Sequence, residues 1–222
     1  MQDDLRESGV RLPRLYPILD ADLVLREVRG DRDRRRDQLQ RVVEELAEAG
    51  VEILQYRNKN DEDAVVAEDA RAIREAAGGM RLILNDRAPL VTKLRWDGVH
   101  LGQQDLPPHE ARELVGQACV GLSTHNEAQT RAADLEPVNY IAIGPVFATG
   151  SKANPDPVIG LDGVRRARAL TNKPLVAIGG ITALTAGAVI DAGADSVAVI
   201  AAIFSGTKPI GQSARDFLAV FK

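Results

Sequence analysis

The chain contains eight short apolar runs of strand length, with stretches of helical periodicity between them. The predicted strands are Leu15 to Leu19, Val51 to Tyr56, Arg81 to Leu84, Gly98 to Leu101, Cys119 to Leu122, Tyr140 to Ile143, Leu175 to Ile178 and Ser196 to Ile200. Strict alternation of strand and helix is typical of a parallel sheet, whose strands are nearly continuous apolar runs because helices cover both faces. Eight such units predict a closed (β/α)8 TIM barrel, an α/β fold, rather than an open doubly wound sheet.

The length of 222 residues suits one barrel of roughly 200 to 250 residues, although two small domains are an alternative. We favour one domain over 1–222, with 1–14 as an N-terminal extension. The clearest predicted helix is Asp37 to Ala49, where apolar side chains recur on one face and Gly50 follows. A second helix is predicted from Asp61 to Ala77.

Composition narrows the class of protein further. The formal charge of -4 argues against general nucleic-acid binding, and the charged run Arg26 to Arg36 is interpreted as a solvated loop and helix start. No run approaches the roughly 20 apolar residues of a membrane span. The single cysteine, Cys119, allows no internal disulfide and is expected to be buried. These features indicate a soluble protein of the reducing cytoplasm.

A barrel of this kind carries its active site at the C-terminal ends of the strands. Asp86 follows the third predicted strand and Asp105 follows the fourth, so the two carboxylates should be neighbours on one rim. Two carboxylates that share a patch of surface can hold a hard cation, and so few protein oxygens beside a phosphorylated substrate suit Mg²⁺. The alternative is that Asp86 caps the next helix and Asp105 is a turn residue.

Cationic side chains are predicted beside this pair. Alternation along the second strand sends Gln55, Arg57 and Lys59 to one side, while Tyr56 and Asn58 face away. An arginine fork and a lysine ammonium together suit a diphosphate. Ordinary surface charge at a loop is the other interpretation.

Hydroxyl groups, a long loop and glycines follow the later strands. Ser123 and His125 follow the fifth strand, where Ser123 could bind substrate or cap a helix and His125 has no partners for a nucleophilic triad. His100 is predicted to be a satisfied core or rim histidine and His109 to lie at a helix start. The loop 144–157 resembles a mobile lid, with a polar surface loop as the alternative. Gly179 and Gly180 follow the seventh strand, where barrels often bind phosphate through backbone amides.

Taken in order, these segments form a series of motifs: Gln55-x-Arg57-x-Lys59, Asn85-Asp86-Arg87, Gly98-Val99-His100-Leu101-Gly102-Gln103-x-Asp105, Gly121-x-Ser123-x-His125, Gly144-Pro145-x-Phe147-x-Thr149-x-Ser151-Lys152 and Gly179-Gly180-Ile181. The series resembles the thiamine-phosphate synthase family from about Tyr16 to Ile203. The resemblance implies a transferase that joins 4-amino-2-methyl-5-hydroxymethylpyrimidine diphosphate to a thiazole phosphate, releasing diphosphate and forming thiamine monophosphate by a dissociative route. It also implies Mg²⁺ as cofactor and suggests a homodimer.

The resemblance assigns roles residue by residue. Asp86 and Asp105 would bind the metal. The pyrimidine diphosphate would be held by Gln55, Arg57, Lys59, Asn85 and Lys152, with Ser123 in the pyrimidine pocket. The thiazole phosphate would be held by Thr149, Ser151 and the backbone amides around Gly180, Ile200 and Ala201. Arg57, Lys59, Lys152 and Ser123 are the predicted catalytic residues.

The chain departs from the family pattern at Tyr56, Asn58, Ser151 and Ala201, where the family commonly has Leu, Glu, Thr and Ser. None of these departures removes a predicted charge. A thiazole tautomerase that resembles the synthase closely is a rival interpretation, with His125 as its catalytic group and no need of a diphosphate site. A non-catalytic ligand-binding barrel is a second rival.

Overall fold

The computed structural model describes residues 11–150 and 156–222, and its strands close into a single barrel. All eight strand pairs are parallel, and consecutive strands are neighbours, with the last strand paired to the first. The strands are β1 Leu15–Asp20, β2 Ile53–Arg57, β3 Arg81–Asn85, β4 Gly98–Leu101, β5 Cys119–Thr124, β6 Tyr140–Ile143, β7 Leu175–Ile178 and β8 Ser196–Val199. The prediction of a closed (β/α)8 TIM barrel is confirmed.

Helices cover the outside of the barrel. Within the described residues they are α1 Ala21–Val24, α2 Arg32–Glu48, α3 Asp63–Ala76, α4 Ala88–Leu94, α5 Pro108–Val115, α6 Glu127–Leu135, α7 Gly160–Arg168, α8 Ala183–Asp191, α9 Ala201–Phe204 and α10 Ile210–Val220. The short helices α1 and α9 follow β1 and β8 directly, so they lie beside the mouth of the barrel.

The core has two layers because side chains alternate along each strand. The larger cluster lies between strands and helices, and the smaller cluster fills the barrel with residues such as Tyr16, Ile18, Ile53 and Ile83. Leu12 belongs to the inner cluster, so the described part of the N-terminal extension packs against the barrel. The inner positions recur every second residue. This spacing decides which polar side chains reach the mouth.

Helix α2 corresponds to the predicted helix Asp37 to Ala49, but it begins earlier than the sequence pattern indicated. Asp31 caps α2 by accepting a hydrogen bond from the Arg34 amide at 3.1 Å, which is why the helix starts at Arg32 and not at Asp37. The charged run is therefore a turn followed by the first helical turn. Arg35 is only 6% exposed, so the interpretation of this run as solvated is wrong at that residue. Cys119, expected to be buried, is partly buried.

Gly121 on β5 makes room for the ring of Tyr140 on β6. A Cβ atom at Gly121 would lie 2.0 Å from Tyr140 Cζ. We expect Gly121→Ala to lower the free energy of unfolding by about 1–3 kcal/mol, the usual cost of overpacking a core. Urea denaturation measures this loss.

Gly187→Ala in α8 is the matched control, because its new methyl group would lie 3.5 Å from Val220 Cγ1, an ordinary contact. We expect it to raise the free energy of unfolding by a few tenths to about 1 kcal/mol through helix propensity. If Gly121→Ala were as stable as the unchanged protein, the Tyr140 ring would not pack directly against the backbone of Gly121.

Candidate active site

Along each strand every second side chain points into the barrel, and at the C-terminal ends of several strands these inward side chains are polar. Gln55 and Arg57 lie two and four residues beyond Ile53, and Asn85 lies two beyond Ile83. They therefore share the inner face with the apolar filling. Tyr56, by contrast, belongs to the outer cluster, where its hydroxyl group donates to Asp69 of α3. The predicted alternation of this strand is confirmed.

The two predicted metal ligands lie together. The carboxyl groups of Asp86 and Asp105 are within hydrogen-bond reach of each other, and Lys59 Nζ lies 3.1 Å from Asp86 Oδ2. Burial and then the neighbouring Asp105 raise the pKa of Asp86 to about 6. Burial opposes ionisation of Asp105 as well, but the hydrogen bonds from Asp86 and the Gly102 amide lower its pKa below the usual range.

The structure tests whether Asp86 caps the next helix. Its side chain makes no capping bond to α4, which begins after Arg87. Its backbone has a φ of 63°, a left-handed conformation that is uncommon for residues other than glycine and most accessible to Asn and Asp. The capping alternative is therefore wrong for Asp86. Asp105 does close a turn on Gly102, while its carboxyl group still contacts Asp86.

This donor set fits a magnesium ion that also binds substrate. Asn85 is buried beside Asp86, and no described residue forms a hydrogen bond with its Nδ2. A buried donor of this kind needs an acceptor, and a phosphate oxygen or a metal-bound water would supply one. Among the described residues no group of three His, Cys, Asp or Glu side chains could enclose a metal alone. Mg²⁺ in proteins is commonly held by one or two carboxylates together with water and substrate phosphate, which matches this arrangement.

Arg57 is held by a residue that the sequence analysis missed. Its guanidinium pairs with the carboxylate of Asp20, and the register places these two residues opposite each other on β2 and β1. Asp20 also caps α1 by accepting from the Asp22 amide. The sequence could have indicated this role of Asp20. Asp20 lies two residues beyond Ile18, and side chains two residues apart on a strand point to the same face, here the inner one.

The hydroxyl group of Ser123 lies at the inner face of β5. Its Oγ is 2.8 Å from Nε2 of His100, and Nδ1 of His100 is 2.9 Å from the hydroxyl oxygen of Tyr140. His100 is thus satisfied on both ring nitrogens, as predicted, and Ser123 caps no helix because Asn126 caps α6. His125 donates from Nδ1 to the carbonyl oxygen of Gly144 at 2.8 Å, and Asp156 lies 3.5 Å from the same nitrogen. His109 lies in the first turn of α5, as predicted.

The loops after β6, β7 and β8 adjoin one another. The amide of Phe147 donates to the carbonyl oxygen of Gly179, and a Cβ atom at Gly180 would lie 2.5 Å from the oxygen of Ala148. Gly180 has a φ of 64°, so its lack of a side chain serves both conformation and close packing. Ile200 and Ala201, where α9 begins, follow the strand paired to β7. This is the predicted phosphate region.

Two of the predicted residues, Ser151 and Lys152, lie outside the described residues, as does the centre of the predicted lid. Thr149 is half-buried at the near end of that loop. The described site therefore joins Gln55, Arg57, Lys59, Asn85, Asp86, Asp105 and Ser123 to the loops of the last three strands.

The closed parallel barrel and this polar mouth define a class of protein: a TIM-barrel enzyme whose site suits phosphorylated substrates. The family model described as thiamine monophosphate synthase matches residues 27–203. The chain belongs to this family, and it is accordingly a transferase of thiamine biosynthesis.

Individual relatives agree with this assignment. The chain is 48% identical to the thiamine-phosphate synthase of Koribacter versatilis over 96% of this chain and 98% of the relative. It is 38% identical to the Chloroflexus aurantiacus protein of the same name over 93% of this chain and 92% of the relative. A solved structure, thiamine phosphate pyrophosphorylase from Pyrococcus furiosus, superposes with a TM-score of 0.78 at 26% identity, covering 93% of this chain and 94% of that one.

None of the helices in the described part of the chain is both long and apolar enough to cross a bilayer.

Proposed function

We propose that this barrel forms thiamine monophosphate by a Mg²⁺-assisted, dissociative reaction between 4-amino-2-methyl-5-hydroxymethylpyrimidine diphosphate and a thiazole phosphate. The observation that carries the proposal is the contact between the Asp86 and Asp105 carboxyl groups beside Lys59. A pair of partly buried acids facing a lysine suits a cation and a diphosphate, and a thiazole tautomerase needs neither.

The residues of the mouth supply charge, not a nucleophile. Carbon–oxygen cleavage places negative charge on the departing diphosphate and leaves a pyrimidine methylene cation for the thiazole nitrogen to attack. Arg57 and Lys59 stabilise the diphosphate, and Asp20 holds the Arg57 fork in place. Bound to Asp86 and Asp105, Mg²⁺ would supply further positive charge at the diphosphate oxygens.

The remaining residues orient the two substrates. Asn85 offers to the diphosphate its Nδ2, which has no partner among the described residues. Ser123 and Gln55 contact the pyrimidine. Thr149, at the described end of the loop after β6, and Ser151, which lies outside the described residues, would bind the thiazole side. Lys152, also outside the described residues, would add a cation at the diphosphate, and a lid over 144–157 would exclude water that captures the methylene cation. The amides around Gly180, Ile200 and Ala201 bind the thiazole phosphate.

The wider setting is part of the same proposal. We place the enzyme in the cytoplasm, with small molecules as its substrates and a second copy of the chain as its partner. The formal charge of -4 supports the absence of general nucleic-acid binding.

The experiment that tests the reaction is formation of thiamine monophosphate by the purified protein, before and after removal of divalent cations with EDTA. We expect product with Mg²⁺, a loss to background after chelation, and recovery when Mg²⁺ is restored. If the protein isomerised the carboxylated thiazole phosphate but formed no thiamine monophosphate, it would be a thiazole tautomerase and the proposal would be wrong. Substrate binding without either reaction would support the ligand-binding barrel.

A further inference from the structure

A continuous series of hydrogen bonds crosses the interior of the barrel and joins two residues of the proposed pyrimidine pocket. Gln55 Nε2 donates to the Tyr16 hydroxyl at 3.2 Å, the Tyr16 and Tyr140 hydroxyl oxygens are 2.9 Å apart, and the series continues through His100 to Ser123. We call these five residues the hydrogen-bond relay. They come from five different strands, β1, β2, β4, β5 and β6.

The packing around the relay holds its members in place. The rings of His100 and Tyr140 stack with centroids 5.6 Å apart, and the rings of Tyr16 and Tyr140 meet edge to face at 6.0 Å. The missing side chain of Gly121 creates the space for the Tyr140 ring. Gln55, Tyr16 and Tyr140 are each at most 1% exposed, so the two tyrosine hydroxyl groups depend on the relay and not on solvent.

The donor at the Gln55 end gives the relay a direction. An amide nitrogen only donates, so the Tyr16 oxygen accepts a hydrogen bond from Gln55. The Tyr16 hydroxyl group then donates a hydrogen bond to Tyr140. Burial raises the pKa of both tyrosines, which keeps each hydroxyl protonated. Tyr140 in turn donates to His100 Nδ1, and the neutral ring then carries its proton on Nε2 and donates to Ser123 Oγ.

The reverse direction leaves one proton without an acceptor. If Tyr140 donated to Tyr16, the Tyr16 oxygen would accept from both Tyr140 and Gln55. The Tyr16 hydroxyl proton would then have no acceptor among the described residues. An unpaired buried hydroxyl proton is costly. The direction from Gln55 to Ser123 is therefore the one in which the protons of Tyr16, Tyr140 and His100 all have acceptors.

The direction has a consequence at both ends. Ser123 accepts from His100, so its own proton is left to donate toward the mouth. Gln55 gives one N–H to the relay and keeps a second N–H and its carbonyl oxygen. The Ser123 hydroxyl as donor and the Gln55 carbonyl oxygen as acceptor complement an aminopyrimidine, whose amino group donates and whose adjacent ring nitrogen accepts. An oxopyrimidine presents the opposite pattern, a carbonyl oxygen beside a ring N–H.

We propose that Tyr16, Tyr140 and His100 are positioning residues that fix the direction of the Ser123 hydroxyl group and so make the pocket selective for an aminopyrimidine over the corresponding oxopyrimidine. The selectivity rests on the proposed function. The direction of the relay does not, and can be measured without substrate.

The first test is the ring-nitrogen NMR spectrum of the substrate-free protein, which has three histidines. We expect His100 to be protonated on Nε2. His125 is an internal contrast, because its Nδ1 faces the Gly144 carbonyl oxygen, which only accepts, and must carry the proton. In Tyr140→Phe the acceptor at His100 Nδ1 loses its donor, and we expect both tautomers of His100 to appear. A His100 protonated on Nδ1 in the unchanged protein would overturn the proposal.

Tyr56→Phe is the matched control, because it also removes one buried tyrosine hydroxyl, but outside the barrel interior. It should leave the His100 spectrum unchanged. Tyr16→Phe breaks the relay one bond further from His100 and provides a second variant if Tyr140→Phe does not fold. An unchanged His100 spectrum in a folded relay variant would overturn the proposal.

The second test compares the binding of the aminopyrimidine diphosphate and its oxo analogue. We expect Tyr140→Phe to weaken binding of the amino compound about fivefold to tenfold, the contribution of one hydrogen bond, and to narrow the preference over the oxo compound. Tyr56→Phe should keep the full preference. An unchanged preference in Tyr140→Phe overturns the selectivity, whereas failure of the unchanged protein to bind either compound overturns the proposed function and leaves the NMR result to test the direction.

Discussion

Asp86→Asn is expected to lower the rate of thiamine monophosphate formation by about a hundredfold or more, because it removes one of two carboxylates proposed to hold Mg²⁺. Metal ions supply several kcal/mol of charge stabilisation, and each 1.4 kcal/mol changes a rate tenfold. Asparagine is preferable to alanine because Asp86 has a φ of 63°, which asparagine adopts more readily than other residues with side chains. Initial rates across a Mg²⁺ titration measure the effect.

The same substitution should not destabilise the fold, which separates loss of the site from loss of structure. The pKa of Asp86 in the folded protein is about 6, above the ordinary value of 3.8, so ionisation of this group at neutral pH opposes folding. Asparagine removes that charge, and we expect an equal or higher unfolding temperature without metal. The stabilisation that the unchanged protein gains from Mg²⁺ with diphosphate should be lost.

Asp216→Asn is the control for this prediction. Asp216 pairs with Lys208 on the surface of α10, so the same chemical change is made away from the mouth. We expect unchanged turnover and an unchanged requirement for Mg²⁺. Turnover of Asp86→Asn at the normal rate in saturating Mg²⁺ would refute the metal role of this residue.

Asp69→Ala is expected to lower the free energy of unfolding by about 3–5 kcal/mol, the usual result of removing one partner from a buried ion pair. Asp69 accepts from Arg35 Nε at 2.7 Å and from Nη2 at 2.5 Å, and it also accepts from the Tyr56 hydroxyl group. The side chains of Arg35 and Asp69 are 7% and 4% exposed. Removing the carboxylate leaves a buried guanidinium with only Asp61 and a buried phenol without its acceptor. Urea denaturation measures the loss.

Glu68→Ala provides a control one residue away on the same helix. Glu68 pairs with Arg32 across the same two helices at 2.9 Å, but both side chains are exposed, at 43% and 79%. An exposed pair of this kind contributes about 0–1 kcal/mol. If the two substitutions destabilised the protein equally, burial would not be the cause. Replacing both Arg35 and Asp69 with apolar residues should recover much of the stability that Asp69→Ala loses.

The strands and the fold were predictable because their signal is repeated along the whole chain. Eight apolar runs with helical segments between them permit few architectures, and β4, β6 and β7 begin and end at the predicted residues. The contact of Asp86 with Asp105 was predictable for the same reason, since neighbouring parallel strands end on one rim. The roles that the resemblance gives to the site residues stay predictions.

The contacts that sequence reasoning missed depend on partners from distant segments. Arg35 lies four residues before Leu39, on the apolar face of α2, but its burial becomes acceptable only because α3 brings Asp69 to it. Asp20 was overlooked because its role depends on the register that places it opposite Arg57. The contact of His100 with Ser123 likewise requires the register of β4 and β5, which single-strand patterns do not contain.

The pairing of β1 with β8 has a consequence for synthesis of the chain. Leu15 is opposite Val197, so two strand edges remain exposed until the chain has left the ribosome as far as β8. Contacts between such distant residues form slowly, and unpaired edges invite association between nascent chains. A fragment that ends before Ser196 would keep both edges open. We therefore expect premature termination of translation to produce aggregates and not a partly active enzyme.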